Sequence, residues 1–184
     1  MFLPQTATAL LPELARIGIT VGGALKVAMM PLGYDDAILK QYGSVLAGVT
    51  VYSTTKPFEI NDKGQEVFLK AMSDYAPEIQ PATVDSAVEG WLSADLFLRG
   101  LREAGACPTR QSFITQLRKV TNYDGAQMTA DNNVDLSTNY TQPSTCNFFT
   151  KFPPAGGTRF LPQNFGQPYC GKPISPAQEA ALNH

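Results

Sequence analysis

"ALKVAMMPLGYDDAILKQYGSVLAGVTVYSTT" (residues 24–55) is the stretch on which the fold turns. Residues 24–30 form a short apolar run, broken by Pro31, Leu32 and Gly33, as expected of a buried strand that feeds a loop. Asp35 and Asp36 then open a short helix, where carboxylates suit the positive end of the helix dipole. Residues 48–55 are rich in β-branched side chains and read as the next strand. Strand, helix and strand in that order predict a parallel α/β sheet.

On the N-terminal side, Phe2 and Leu3 read as the end of a strand, Thr6 as a helix cap, and residues 9–17 as a helix stopped by Gly18. The first positive charge is Arg16, beyond Glu13. A secretory leader opens on a basic segment, so the chain is expected to carry no signal peptide. On the C-terminal side three helices are predicted, over residues 59–75, 86–104 and 110–120. Val67, Phe68, Ala71 and Met72 face the core in the first, which Pro77 and Pro81 end. Asp85 or Ser86 caps the second. There Ala87, Trp91, Ala94, Leu98 and Leu101 recur at steps of four and three, and Leu92, Leu96 and Phe97 widen the stripe. Such a helix is expected to lie buried between layers, with Asp95 paired to Arg99 one turn on. Gly105 ends it, Thr109 caps the third helix, and the two pack as an αα-hairpin. A turn-rich segment leads to an apolar strand over residues 145–152, and the Pro- and Gly-rich remainder reads as an irregular strap.

Composition excludes several functions. Apolar residues make up 43% of the 184, enough for a packed core, and no run approaches the ~20 apolar residues of a membrane span. Fourteen basic against sixteen acidic side chains, with no basic run, argue against nucleic acid. One histidine, His184 at the end of the sequence, leaves neither a Ser-His or Cys-His pair nor a four-ligand metal site. No Gly-rich phosphate loop occurs, so no cofactor is expected. Asp35 and Asp36 are adjacent at a helix start and point apart, which disfavours paired acid-base work. Asn139-Tyr140-Thr141 matches a glycosylation acceptor, read as coincidence. The three cysteines, Cys107, Cys146 and Cys170, admit two readings. They are buried thiols, or Cys146 and Cys170 form a disulfide that ties the strap and leaves one odd thiol.

The order of "LLPELARIG", "VAMMPLGYDDAILKQYG", "LAGVTVYSTTKPFE", "GWLSADLFLRGLREAGACPTRQSFITQLRKVTNYDGAQM" and "CNFFTKF" resembles the C-terminal portion of the type I periplasmic binding proteins, in particular the leucine/isoleucine/valine-binding receptors of ABC transporters. The resemblance implies a partial two-lobed α/β fold with an incomplete parallel sheet and the packed αα-hairpin. Residues 1–54 would belong to the second lobe, 55–142 to the first, and 143–184 to a return strand and C-terminal strap. It implies binding of an amino acid or related small polar solute in an interlobe cleft, without catalysis. It also implies a membrane permease as partner and an extracytoplasmic location for a longer parent of which this chain is a truncated part. By position Gln5, Thr6, Gly33, Tyr34 and Asp35 would face the cleft. In amino-acid-binding members the second loop carries a carboxylate for the ligand's ammonium; here Leu32 stands nearest that place and Asp35 is the carboxylate at hand. Two other readings compete: a structural module that dimerises through an exposed sheet edge, and a hydrolase using Asp35 and Asp36.

Overall fold

The structure is a computed structural model that describes residues 3–138, 144–175, 178 and 181. Phe2, the glycosylation pattern and His184 lie outside the described residues, and Leu3, expected with Phe2 to end a strand, is instead the extended N-cap residue of the first helix. Helix α1 spans Pro4–Arg16. It starts five residues before the predicted Ala9, because Pro4 sits at its first position, where a fixed φ is preorganised for a helix and the missing N–H costs nothing. Thr6 is consequently inside the helix and caps nothing, and Gln5 and Thr6 belong to its first turn rather than to a loop. Strand β1 (Met29–Pro31) is shorter than the apolar run predicts, and Val27 is 64% exposed just before it. Helix α2 (Asp36–Tyr42) and strand β2 (Thr50–Ser53) follow as expected.

β1 and β2 pair in parallel, with Met30 opposite Val51. The remainder of the sheet is antiparallel: β3 (Cys146–Lys151) lies beside β2, and the two-residue strands β4 (Leu161–Pro162) and β5 (Tyr169–Cys170) both pair with β3. The sheet is mixed, with order β1-β2-β3-β4. Its main core joins Ala7 and Leu11 of α1, Met30, Leu39, Leu46, Val51, and Phe152 and Phe160 from beyond β3. Burying each of the larger of these side chains stabilises the fold by ~1.5–3 kcal/mol.

A second core lies between α3 (Lys63–Tyr75) and α4 (Asp85–Ala104), around Phe68, Val88 and Met128, with Trp91 edge-on to Phe68. α3 starts four residues later than predicted. Phe58–Ile60 forms a separate 3-10 turn, Asn61 takes a left-handed φ of 54°, and Asp62 with Gln65 makes a reciprocal capping box. Gln65, with no exposed surface, also donates to the Lys56 and Pro57 carbonyls at 3.1 and 2.8 Å. The segment that connects the two cores is thereby pinned to α3. Lys56 adds an ion pair to Asp62 and a hydrogen bond to the Gln127 carbonyl.

α4 begins one residue early, with Val84 as an N-cap that makes no side-chain bond, so neither Asp85 nor Ser86 caps it. α5 (Arg110–Leu117) packs on it through Phe113, under the Thr109–Ser112 capping box, and ends three residues before the predicted Val120. The expectation that α4 is buried between layers is overturned: Phe97 and Leu98 are 54% and 48% exposed, and only Val88 and Gly100 are buried. Its stripe is apolar enough for two neighbours, but the described residues supply one side. Arg99 pairs with Glu103 and Asn122, not with Asp95; both carboxylates lie one turn away on its face, and Asp95 instead interacts with Tyr123.

A candidate ligand cleft at the ends of the parallel strands

Two parallel strands open their carboxyl ends on one edge, which is where ligands of α/β sheets usually bind. Here β1 runs into Leu32–Asp35 and β2 into Thr54 and Thr55. Leu32 adopts φ 53° and is 67% exposed, so the backbone turns out of the sheet at once. Gly33 is buried over Met30, and a Cβ there would lie 2.4 Å from Met30 Cε. Any side chain there would have to displace the buried Met30 methyl, so glycine lets the loop sit down on it.

Tyr34 anchors the loop. Its Oη donates to Glu59 Oε2 at 2.7 Å and accepts the Phe58 N–H at 2.7 Å, and its ring stands 4.8 Å from Phe160. Glu59 Oε1 accepts the Phe160 N–H at 3.2 Å. Burial, followed by the charge of Glu59, pushes the Tyr34 hydroxyl well above its ordinary range, so it remains a neutral donor. Asp35 is the N-cap of α2: its Oδ1 accepts from the Ala37 and Ile38 N–H groups at 2.7 and 3.0 Å. Asp36 Oδ2 accepts from Thr83. The two adjacent carboxylates therefore have separate structural partners.

Tyr34 is a partition between two recesses. One, of about 190 Å³, is lined by Asp35, Asp36, Glu59, Thr83 and Arg159 among others. The second, of about 210 Å³, lies directly over the strand ends. Leu32, Tyr34, Tyr52 and the Ser53, Thr54 and Thr55 segment form one side, Asn147 of β3 the base, and Asp85 and Glu89 of α4 the far wall. Of the residues expected at a cleft, the structure brings Tyr34 to both recesses and Asp35 to the first, with Gly33 beneath. Gln5 and Thr6 are exposed in α1 and line neither. Tyr52, the hydroxyl run after it, Asp85, Glu89 and Asn147 were not anticipated. The hydroxyls at the end of a parallel strand, and the four-residue spacing of Asp85 and Glu89, were the available signals.

Asp85 is half-buried. Desolvation first, and then the charges of Glu89 and Asp35, hold its carboxyl above the usual range. A larger recess of about 400 Å³ lies farther along α4 and reaches Thr54, but Leu92, Leu96, Val134 and Leu136 make its walls apolar. Polar groups converge in both recesses beside Tyr34, but in the first Asp35, Asp36 and Glu59 already hold Ala37, Ile38, Thr83, Tyr34 and Phe160, and only the second lies over the strand ends. The disulfide Cys146–Cys170 joins β3 to β5 one residue from Asn147, and Cys107 is free and exposed.

Two solved structures share the fold. A branched-chain amino acid ABC transporter protein from Thermus thermophilus, with bound valine, superposes with a TM-score of 0.64 at 12% identity over 97% of this chain and 46% of the other. The leucine-binding protein LivK from Thermotoga maritima gives 0.55 at 14% identity, covering 95% and 43%. This chain thus spans less than half the length of either. No curated protein matches its sequence. The expected fold class is borne out, with one parallel strand pair where more were predicted. The family model described as periplasmic binding protein matches residues 1–158, and the chain belongs to that family.

Proposed function

We propose that this chain supplies one wall, and the floor, of the solute cleft in the binding component of an ABC-type uptake system, located outside the cytoplasm and working without catalysis. In this reading residues 1–54 and 143–184 belong to one lobe and 55–142 to the other, and the whole protein is longer. The observation that carries it is the polar recess over the β1 and β2 ends, lined from elements that build both cores: Tyr34 and Tyr52 from beside and within the sheet, Asp85 and Glu89 from α4. A cleft between two bodies can close on a small solute by hinge motion. The exposed Phe97 and Leu98 face fits a helix whose second neighbour belongs to the rest of the protein. Against a hydrolase stands the Asp35 cap, which spends one of the two carboxylates on α2.

Nuclear magnetic resonance titration with branched-chain amino acids, amides and short carboxylates tests this reading. Millimolar shifts confined to Tyr34, Tyr52–Thr55, Asp85–Glu89 and Asn147 are expected of half a cleft. Shifts centred elsewhere overturn the site, and micromolar affinity of the chain alone overturns the half-cleft. Dimerisation through the sheet edge ranks behind. β1 is three residues long and ends on Pro31, which has no N–H to offer a partner strand.

A further inference from the structure

Resting on that reading of the cleft, we propose that the recess selects a small organic cation, a solute of net positive charge carrying an ammonium or guanidinium group, rather than a neutral α-amino acid. Most charges around the strand ends are already engaged. Asp35 caps α2, Asp36 accepts from Thr83, Glu59 holds the Tyr34 hydroxyl and the Phe160 amide, and Asp62 is paired with Lys56. Asp85 and Glu89 remain. Four apart on α4, they share one helix face and line the same recess, and neither has a hydrogen bond or ion pair among the described residues. Among the described residues no Lys, Arg or His lines that recess. Arg159 borders only the neighbouring one, on the other side of Tyr34.

Two like charges one turn apart repel, and Asp85, half-buried beside the exposed Glu89, has lost part of its water. The raised protonation of Asp85 reports the same conflict. A cation placed between them relieves it, whereas this wall of the cleft offers a zwitterion's carboxylate no basic side chain among the described residues. The opposite side suits the same ligand. Tyr34 and Tyr52 line it with aromatic rings, which attract ammonium and guanidinium groups, and the Thr54 hydroxyl and Asn147 amide oxygen can accept N–H donors beside the mutually bonded Ser53 and Thr55 hydroxyls. α4 begins here, and its dipole alone would favour an anion; Asp85 in its first turn reverses the local sign.

The test is a titration of the isotopically labelled chain with agmatine, L-arginine, L-citrulline and L-leucine at one ionic strength, followed by amide shifts at Tyr52–Thr55, Asp85–Glu89 and Asn147. Agmatine and arginine are expected to bind at least ~10-fold tighter than citrulline, which keeps arginine's shape without its side-chain charge. The Asp85→Asn/Glu89→Gln double variant, and Glu89→Gln alone, should lose that preference while their spectra stay folded. Citrulline or leucine binding at these residues as tightly as arginine would overturn the charge preference and leave the cleft standing. Cation binding that the substitutions leave unchanged would place the cation elsewhere. An absence of shifts at these residues with all four compounds would sink the preference and the cleft together.

Discussion

Tyr34 shows how one side chain can be both wall and tie. Its hydroxyl joins the loop after β1 to Glu59 and to the Phe58 backbone, and Glu59 in turn holds Phe160. Tyr34→Phe keeps the ring on Phe160 but leaves the Phe58 N–H and one Glu59 oxygen without their partner. A hydrogen bond to a charged group contributes ~1.5–3 kcal/mol, so a loss of about 2 kcal/mol is expected in urea denaturation at neutral pH. The pH dependence has a definite sign. The folded state raises the pKa of this hydroxyl above the ordinary 10.0, so its contribution is complete below pH 10.0 and is lost as the pH rises beyond it. The gap between wild type and variant should therefore be flat through neutral pH and narrow in alkali, and a gap that widens there would contradict the network. Sequence marked Tyr34 as a site residue by its position in a post-strand loop. It held no sign of Glu59, 25 residues away, because that contact is made by the tertiary fold.

At the scale of elements, what could be read locally was read well, and what depended on a neighbour was not. The Thr109 cap follows from short-range chemistry and occurs as expected, and Asp35, expected only as a carboxylate at the helix start, is the N-cap of α2. The start of α3 is set by the Asp62–Gln65 capping box and not by the apolar residues upstream of it, which form the separate Phe58–Ile60 turn. α4 was read as enclosed, since a stripe reports how much apolar surface a helix has and not how much of it is covered. The αα-hairpin gives this scale its test. Phe113 lies so close to Gly100 that an added Cβ would meet Cε2 at 2.3 Å, and it is held on its other side by Phe97 at 5.4 Å between ring centres. Alanine is the better helix former by ~1 kcal/mol, which alone would make Gly100→Ala stabilising. Overpacking of this kind costs ~1–3 kcal/mol, and a ring clamped between two contacts cannot simply swing away. Net destabilisation by about 1 kcal/mol is expected from the urea midpoint. A higher midpoint would mean that α5 rides loosely on α4.

For the whole molecule the question is what keeps the strap on the sheet, because residues beyond β3 bury little besides Phe152, Pro153, Phe160 and Gly166. Sequence left the cysteines open between buried thiols and a tie; the structure joins Cys146 to Cys170, which also face each other as β3–β5 partners. That register could not be read in advance, since a two-residue strand has no periodicity to detect. The covalent link closes a loop of 24 residues, and loop-closure entropy alone makes this worth roughly 3 kcal/mol. Asn147, at the base of the recess, is the residue after Cys146, so release of β5 should reach the cleft as well as the strap. Reduction, or the Cys146→Ser/Cys170→Ser variant, is expected to lower stability by about 3 kcal/mol and to raise amide exchange at Asn147 and Tyr169. Exchange at Met30 and Val51, inside the main core, should rise only with global unfolding. Before reduction one thiol per chain, that of the exposed Cys107, should react with an alkylating reagent, and three after it. If stability falls while exchange at Asn147 does not change relative to Met30, the disulfide staples the strap alone, and the floor of the cleft is held by β2 and the Phe148 contacts without it.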